Sequence, residues 1–91
     1  MNDFRLEDID YIKTLRNQAT LKIKKAHLRI LNGRIPQEGL IDETILAINI
    51  IEEYSYLDTI IPRCQPVRKA IQDIQDAWDT YQDALISRKE E

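Results

Sequence analysis

The stretch that decides the fold is PVRKAIQDIQDAWDTYQDAL, residues 66–85. Its large apolar residues are separated alternately by four and three positions: Val67, Ile71, Ile74, Trp78, Tyr81 and Leu85. Alanines recur every seven residues beside this stripe, at Ala70, Ala77 and Ala84. The pattern is that of an amphipathic helix, which we expect to run from Pro66 or Val67 to Ser87, with Pro66 in its first turn. The small alanines should let this helix lie close to a neighbour.

The same periodicity occurs nearer the start of the chain. Apolar residues there are spaced by three or four positions: Ile12, Leu15, Ala19, Ile23, Ala26 and Ile30. We therefore predict a first helix from about Leu6 to Leu31. Asp3 is a candidate N-cap residue, and Gly33 stands where a residue in the left-handed conformation would end the helix.

The segment between these helices is rich in isoleucine and leucine throughout. From Leu40 to about Ile61, its apolar side chains point in nearly every direction on a helical wheel. A helix that is apolar on all sides has to be buried, so we expect a second helix at the centre of the fold. Isoleucine also suits β-strands, but the run is too long for one strand and contains no turn signal. Pro62 and Pro66 should separate the second helix from the third.

The three helices predict an all-α fold and a single helical domain over residues 1–91. We expect a three-helix antiparallel bundle, or a helical hairpin plus a third helix. Leu21 and Leu28 lie seven residues apart and, at about 100° per residue, roughly 180° from the apolar stripe of the first helix. That helix is apolar on two faces, which favours completion of the fold by self-association into a homo-oligomer. The alternative is that both leucines are isolated surface residues.

Charge is segregated along the chain. The sequence has 13 basic and 16 acidic residues, yet residues 11–34 contain seven bases and no acid. On the first helix we predict a basic face formed by Tyr11, Gln18, Lys22, Lys25 and Arg29. This face is solvated or neutralised within the molecule, docks an acidic protein surface, or contacts nucleic acid. The sequence pI of about 5.1 favours a protein over a nucleic acid as its partner.

The sequence contains reactive residue types, but not the surrounding motifs that catalysis needs. His27 is the only histidine and Cys64 the only cysteine, and neither lies in a nucleophile motif or a glycine-rich phosphate loop. Asp76, Asp79 and Asp83 form an acidic ridge on the third helix, which could be solvated, receive a basic partner or hold a cation weakly. They lack the backbone carbonyls and the turn glycine of a calcium loop. We expect neither an enzyme nor a cofactor or metal site.

The sequence also leads to expectations about the compartment and the function of the protein. A single cysteine fits a reducing compartment, and no run approaches the ~20 apolar residues that span a bilayer, so we expect a cytoplasmic protein without a membrane partner. The favoured function is a non-enzymatic protein–protein interaction module. Such a module would be a small adaptor, inhibitor or regulator whose partner presents an acidic or apolar helical surface. The alternatives are a nucleic-acid or nucleotide-binding regulator using the basic face, and a small structural subunit of a larger complex.

Overall fold

The computed structural model describes residues 3–34 and 38–90, with side chains for 7–34 and 38–87. It contains four helices: α1 (Asp3–Leu31), α2 (Leu40–Glu52), α3 (Tyr56–Ile60) and α4 (Pro66–Glu90). Every regular element within these ranges is a helix, so the predicted all-α class is confirmed. The molecule is elongated, with extents of 54 × 18 × 17 Å.

The core is centred on the contact between α1 and α4, which is the most extensive in the molecule. Both predicted stripes supply its buried side chains: Ile12, Ala19, Ile23, Ala26 and Ile30 from α1, and Val67, Ala70, Ile74 and Tyr81 from α4. The two helices run parallel, because Arg16 pairs with Asp73 while His27 and Ser87 line one groove further along. Fully burying an isoleucine contributes roughly 1.5–3 kcal/mol, so these stripes dominate the stability.

Helix α2 runs antiparallel to α1. The Lys22 ammonium lies 3.5 Å from the Glu43 carboxylate in the first turns of α2. Beyond the other end of α2, the rings of Tyr11 and Tyr54 lie 5.7 Å apart. Because α2 has 13 residues and α1 has 29, α2 covers only part of the length of α1. The turns of α1 that follow Lys22 therefore extend beyond it.

The prediction of one continuous second helix from Leu40 to about Ile61 is wrong. Residues 53–55 form a turn, in which the Tyr54 and Ser55 amides donate to carbonyls three residues back at 2.9 and 3.0 Å. In an unbroken helix, Ile51 and Leu57 would point about 120° apart, since each residue advances the direction by about 100°. Both side chains are fully buried. The break reorients the chain so that both can face the same core.

The prediction that the second helix is central is also wrong. Leu40, Thr44 and Ile51 are buried, but Ile41 is 52% exposed and Ile45 is 49% exposed. Because α1 and α4 already pack on each other, α2 buries one stripe and leaves its flanks open. Thr44 fits in the interior because its hydroxyl donates to the Leu40 carbonyl at 2.8 Å.

The C-terminus of α1 ends as predicted. Gly33 has a φ of 79°, the left-handed conformation, and its amide donates to the Ile30 carbonyl at 3.0 Å. The Arg34 amide reaches the Arg29 carbonyl at 2.8 Å, which completes a Schellman motif. At the other end, α1 begins at Asp3, earlier than the predicted Leu6. The capping role predicted for the Asp3 side chain lies outside the described residues.

The two prolines separate α3 from α4, which confirms the predicted interruption. Helix α3 ends at Ile60, and α4 begins at Pro66, whose lack of an amide hydrogen costs nothing in a first turn. The Asp58 carboxylate then accepts the next two amides, from Val67 at 2.9 Å and Arg68 at 3.0 Å. Asp58 is thus an N-cap supplied from another helix, and its negative charge suits the positive end of the α4 dipole.

We predict that Asp58→Ala lowers the free energy of unfolding by about 1–2 kcal/mol, because two amides at the start of α4 lose their acceptor. Urea denaturation followed by circular dichroism measures the change. Asp83→Ala is the matched control, since it removes an exposed carboxylate from the body of the same helix. Equal stability losses in the two variants would show that Asp58 does not act as a cap.

Candidate interaction surfaces

A groove with apolar walls lies between α2 and α4. Ile41, Ile45 and Ile48 follow helical spacing along one flank of α2, and Trp78 of α4 faces them across the groove. The complete lining, called the α2–α4 groove below, is Ile41, Thr44, Ile45, Ile48, Gln75, Trp78 and Asp79. The indole of Trp78 is held in place by the buried Tyr81, whose ring centroid is 5.3 Å away. This arrangement gives a largely apolar surface to which α1 contributes no residue.

The α2–α4 groove has one acidic residue in its lining. Asp79 lines it on the α4 side, whereas Asp42, three residues before Ile45, is exposed on α2 outside the lining. Neither carboxylate forms a salt bridge with any residue of the described ranges. An apolar surface bordered by uncompensated charge of one sign is suited to a partner of the opposite sign.

A second groove lies between α1 and α2. Its apolar lining includes Leu15, Leu46 and Ile50, and Leu46 is 59% exposed. Lys22 and Glu43, both about half exposed, lie within the same lining and pair with each other. An exposed pair of this kind contributes at most about 1 kcal/mol. Its main effect here is to neutralise one cation of the predicted basic face.

The five residues of the predicted basic face lie along one side of α1 in different surroundings. Tyr11 packs against Tyr54 near one end of the molecule, whereas Gln18 and Lys22 line the α1–α2 groove. Lys25 and Arg29 are exposed beyond the start of α2 and make no salt bridge to a described residue. At 1.5 Å per residue, Tyr11 and Arg29 are separated by about 27 Å along the helix axis.

Part of the charge segregation along the sequence is balanced inside the molecule. Arg16 lies 3.6 Å from Asp73 of α4, and Lys24 lines a groove that also contains Asp76. Bases on one side of α1, Arg16 and Lys24, therefore face α4, and Lys22 on the other side faces Glu43 of α2. Intramolecular neutralisation, one of the alternatives for the basic face, applies to Lys22.

The two leucines assigned to self-association lie on the solvent side of α1. Leu21 is 52% exposed and Leu28 is 58% exposed. Lys24 and Lys25, both exposed, lie between them in sequence and flank them on either side of the helix. We call these four residues the outer face of α1. It is an apolar strip bordered by cations.

A tyrosine cluster joins the start of α1 to α3, and the sequence analysis missed it. The Tyr54 ring meets Tyr11 edge-on and lies 6.3 Å from Tyr56, whose hydroxyl donates to the Asp8 carboxylate. Desolvation among these groups, followed by the charge of Asp8, raises the pKa of Tyr54 above its ordinary value of 10.0. Asp8 and Tyr56 are 48 positions apart, so no local sequence pattern predicts their contact.

His27, Asp83 and Ser87 line one open groove between α1 and α4. Cys64 is exposed. Within residues 3–34 and 38–90, no three His, Cys, Asp or Glu side chains come together as a metal site, and no described helix is long and apolar enough to cross a bilayer.

No protein-family model, curated protein or solved structure matches this chain. Its function is therefore inferred from the surfaces described above.

The raised pKa of Tyr54 predicts a pH dependence of stability. The folded state holds the phenolic proton to a higher pH than the unfolded chain does, so the stabilisation is complete below about pH 10 and is lost as pH rises through the folded pKa. We predict that the wild type loses unfolding free energy above pH 10 more steeply than Tyr54→Phe does. Urea denaturation at successive pH values measures this difference, and lysine titration affects both proteins equally. Parallel curves would contradict the assignment.

Proposed function

We propose that this protein is a non-enzymatic interaction module that acts through exposed helical surfaces and associates with itself. The observation that carries the proposal is the exposure of Ile41, Ile45 and Leu46 on α2 together with Leu21 and Leu28 on α1. Single exposed apolar residues are ordinary, but here they line grooves or share a helix face. Their arrangement supports docking of another helix, and the proposal includes completion of the helical assembly by further copies of the chain.

Burial of these exposed side chains favours association. Covering the exposed half of a leucine or isoleucine contributes roughly 1 kcal/mol. Two copies that together cover several such residues gain several kcal/mol, which must offset the rotational and translational entropy lost on binding. The apolar contribution therefore supports modest affinity, to which charge pairs at the rim add specificity. A cytoplasmic location belongs to the same proposal, since the lone Cys64 has no internal partner for a disulfide.

A second candidate function is binding of nucleic acid or a nucleotide. The observation in its favour is that Lys25 and Arg29 are exposed and have no acidic partner among the described side chains. Two or three phosphate contacts give weak, strongly salt-dependent binding, and the chain carries a net charge of −3. Protein docking therefore ranks first. A structural subunit of a larger complex would use the same apolar surfaces.

We predict that the wild type at tens of micromolar elutes from size exclusion with a light-scattering mass above the 10.7 kDa of one chain. Leu21→Lys/Leu28→Lys should elute as a monomer, because each substitution replaces an exposed apolar side chain with a charge. Thr59→Lys/Ser87→Lys is the matched control, since it adds the same charge at other exposed positions.

A monomeric wild type would contradict the proposed self-association. The absorbance of the same elution peak tests the second candidate function, which is nucleic-acid binding. An excess of absorbance at 260 nm that disappears in Lys25→Glu/Arg29→Glu would place nucleic-acid binding first.

A further inference from the structure

We propose that the outer face of α1 in one copy docks into the α2–α4 groove of a second copy. This inference deepens the proposed function and rests on its self-association. It specifies which two surfaces meet and assigns a different surface to each copy. Three features of the structure support it: the spacing of the apolar residues, the placement of the charges, and the relative positions of the two surfaces.

The apolar residues of the two surfaces have the same spacing. Leu21 and Leu28 are seven residues apart on α1, and Ile41 and Ile48 are seven residues apart on α2. At 1.5 Å per residue, each pair spans about 10.5 Å along its helix. A helix that presents anchors at positions i and i+7 is the usual occupant of an apolar groove between two helices. The leucines therefore match the length of the groove wall.

The charges on the two surfaces are complementary. Lys24 and Lys25 flank the leucines on opposite sides of the outer face of α1. The α2–α4 groove has Asp79 in its α4 wall, and Asp42 is exposed on α2 outside the lining. A helix seated with its leucines in the groove directs one of its lysines towards the α4 wall, where Asp79 lies. None of these four charges is paired with another described residue of its own chain.

The same charges disfavour pairing of identical surfaces. If two α2–α4 grooves faced each other, their Asp79 carboxylates would enter the same interface, and two outer faces of α1 would bring lysines together. Like charges brought together in an interface are repulsive, so both symmetric arrangements are penalised. Docking of the basic surface into the acidic groove avoids both penalties.

The relative position of the surfaces makes the contact heterologous. The outer face of α1 points away from the core, while the groove is lined only by α2 and α4. A copy whose groove is occupied still presents its own outer face to another copy. Head-to-tail contacts of this kind produce rings or open chains, so the assembly should grow beyond a dimer as concentration rises.

The test uses two variants that each block one surface. Ile41→Glu/Ile45→Glu blocks the groove and leaves the outer face of α1 intact, whereas Leu21→Glu/Leu28→Glu does the reverse. Both change exposed residues and carry the same added charge, and Thr59→Glu/Ser87→Glu is the matched control. Sedimentation velocity measures the size of each variant alone and of an equimolar mixture, with circular dichroism to confirm helix content. Ile41→Ala/Ile45→Ala provides a variant of the groove with unchanged charge and high helix propensity.

The expected result is that each blocked variant is monomeric alone and that the mixture forms a 1:1 complex of twice 10.7 kDa that does not grow with concentration. The control should assemble like the wild type. The alanine variant should dissociate at a higher protein concentration than the wild type does. A mixture that stays monomeric while the wild type associates would overturn the inference. So would undiminished association of either blocked variant alone, and both results leave the proposed self-association standing. A monomeric wild type would instead refute the self-association itself.

Discussion

The packing of α1 against α4 is the interaction on which the rest of the structure depends. Ile12 and Ile23 of α1 and Ile74 of α4 are fully buried in it, and the small side chains of Ala70 and Ala77 allow the helix axes to approach. These two helices have 29 and 25 residues, whereas α2 has only 13. One short helix cannot cover a pair of long ones, so apolar surface remains open on both sides of α2.

The sequence predicts the long helices well because their packing follows a local period. Their stripes, the proline break and the αL residue Gly33 all depend on residues within a few positions of one another. The turn at 53–55 depends instead on burying Ile51 and Leu57 in one core, a tertiary requirement that overrides a continuous apolar run. The cap formed by Asp58 and the contact of Asp8 with Tyr56 are also tertiary, so helical spacing does not reveal them.

The sequence likewise predicts some features of the candidate surfaces and misses others. The exposure of Leu21 and Leu28 followed from their angle on the first helix. The basic face was predicted as one unit, and its residues have different surroundings in the fold, because α2 places Glu43 beside Lys22 and leaves Lys25 without a salt bridge to a described residue. The α2–α4 groove was missed, since the all-round apolar pattern implied burial instead of exposure. The Asp79 carboxylate in its lining and the lysines of the outer face of α1 together support interaction between protein surfaces.

The central claim is that α2 is only partly covered in a single copy and is covered further when another protein surface docks on it. The most direct measurement is amide hydrogen exchange, resolved by peptide, on the wild type at low and high protein concentration. Docking stabilises the closed state of α2, so its amides should exchange more slowly at high concentration, while those of the exposed turn at residues 61–65 should not change. Exchange in residues 40–52 that is independent of concentration would contradict the account.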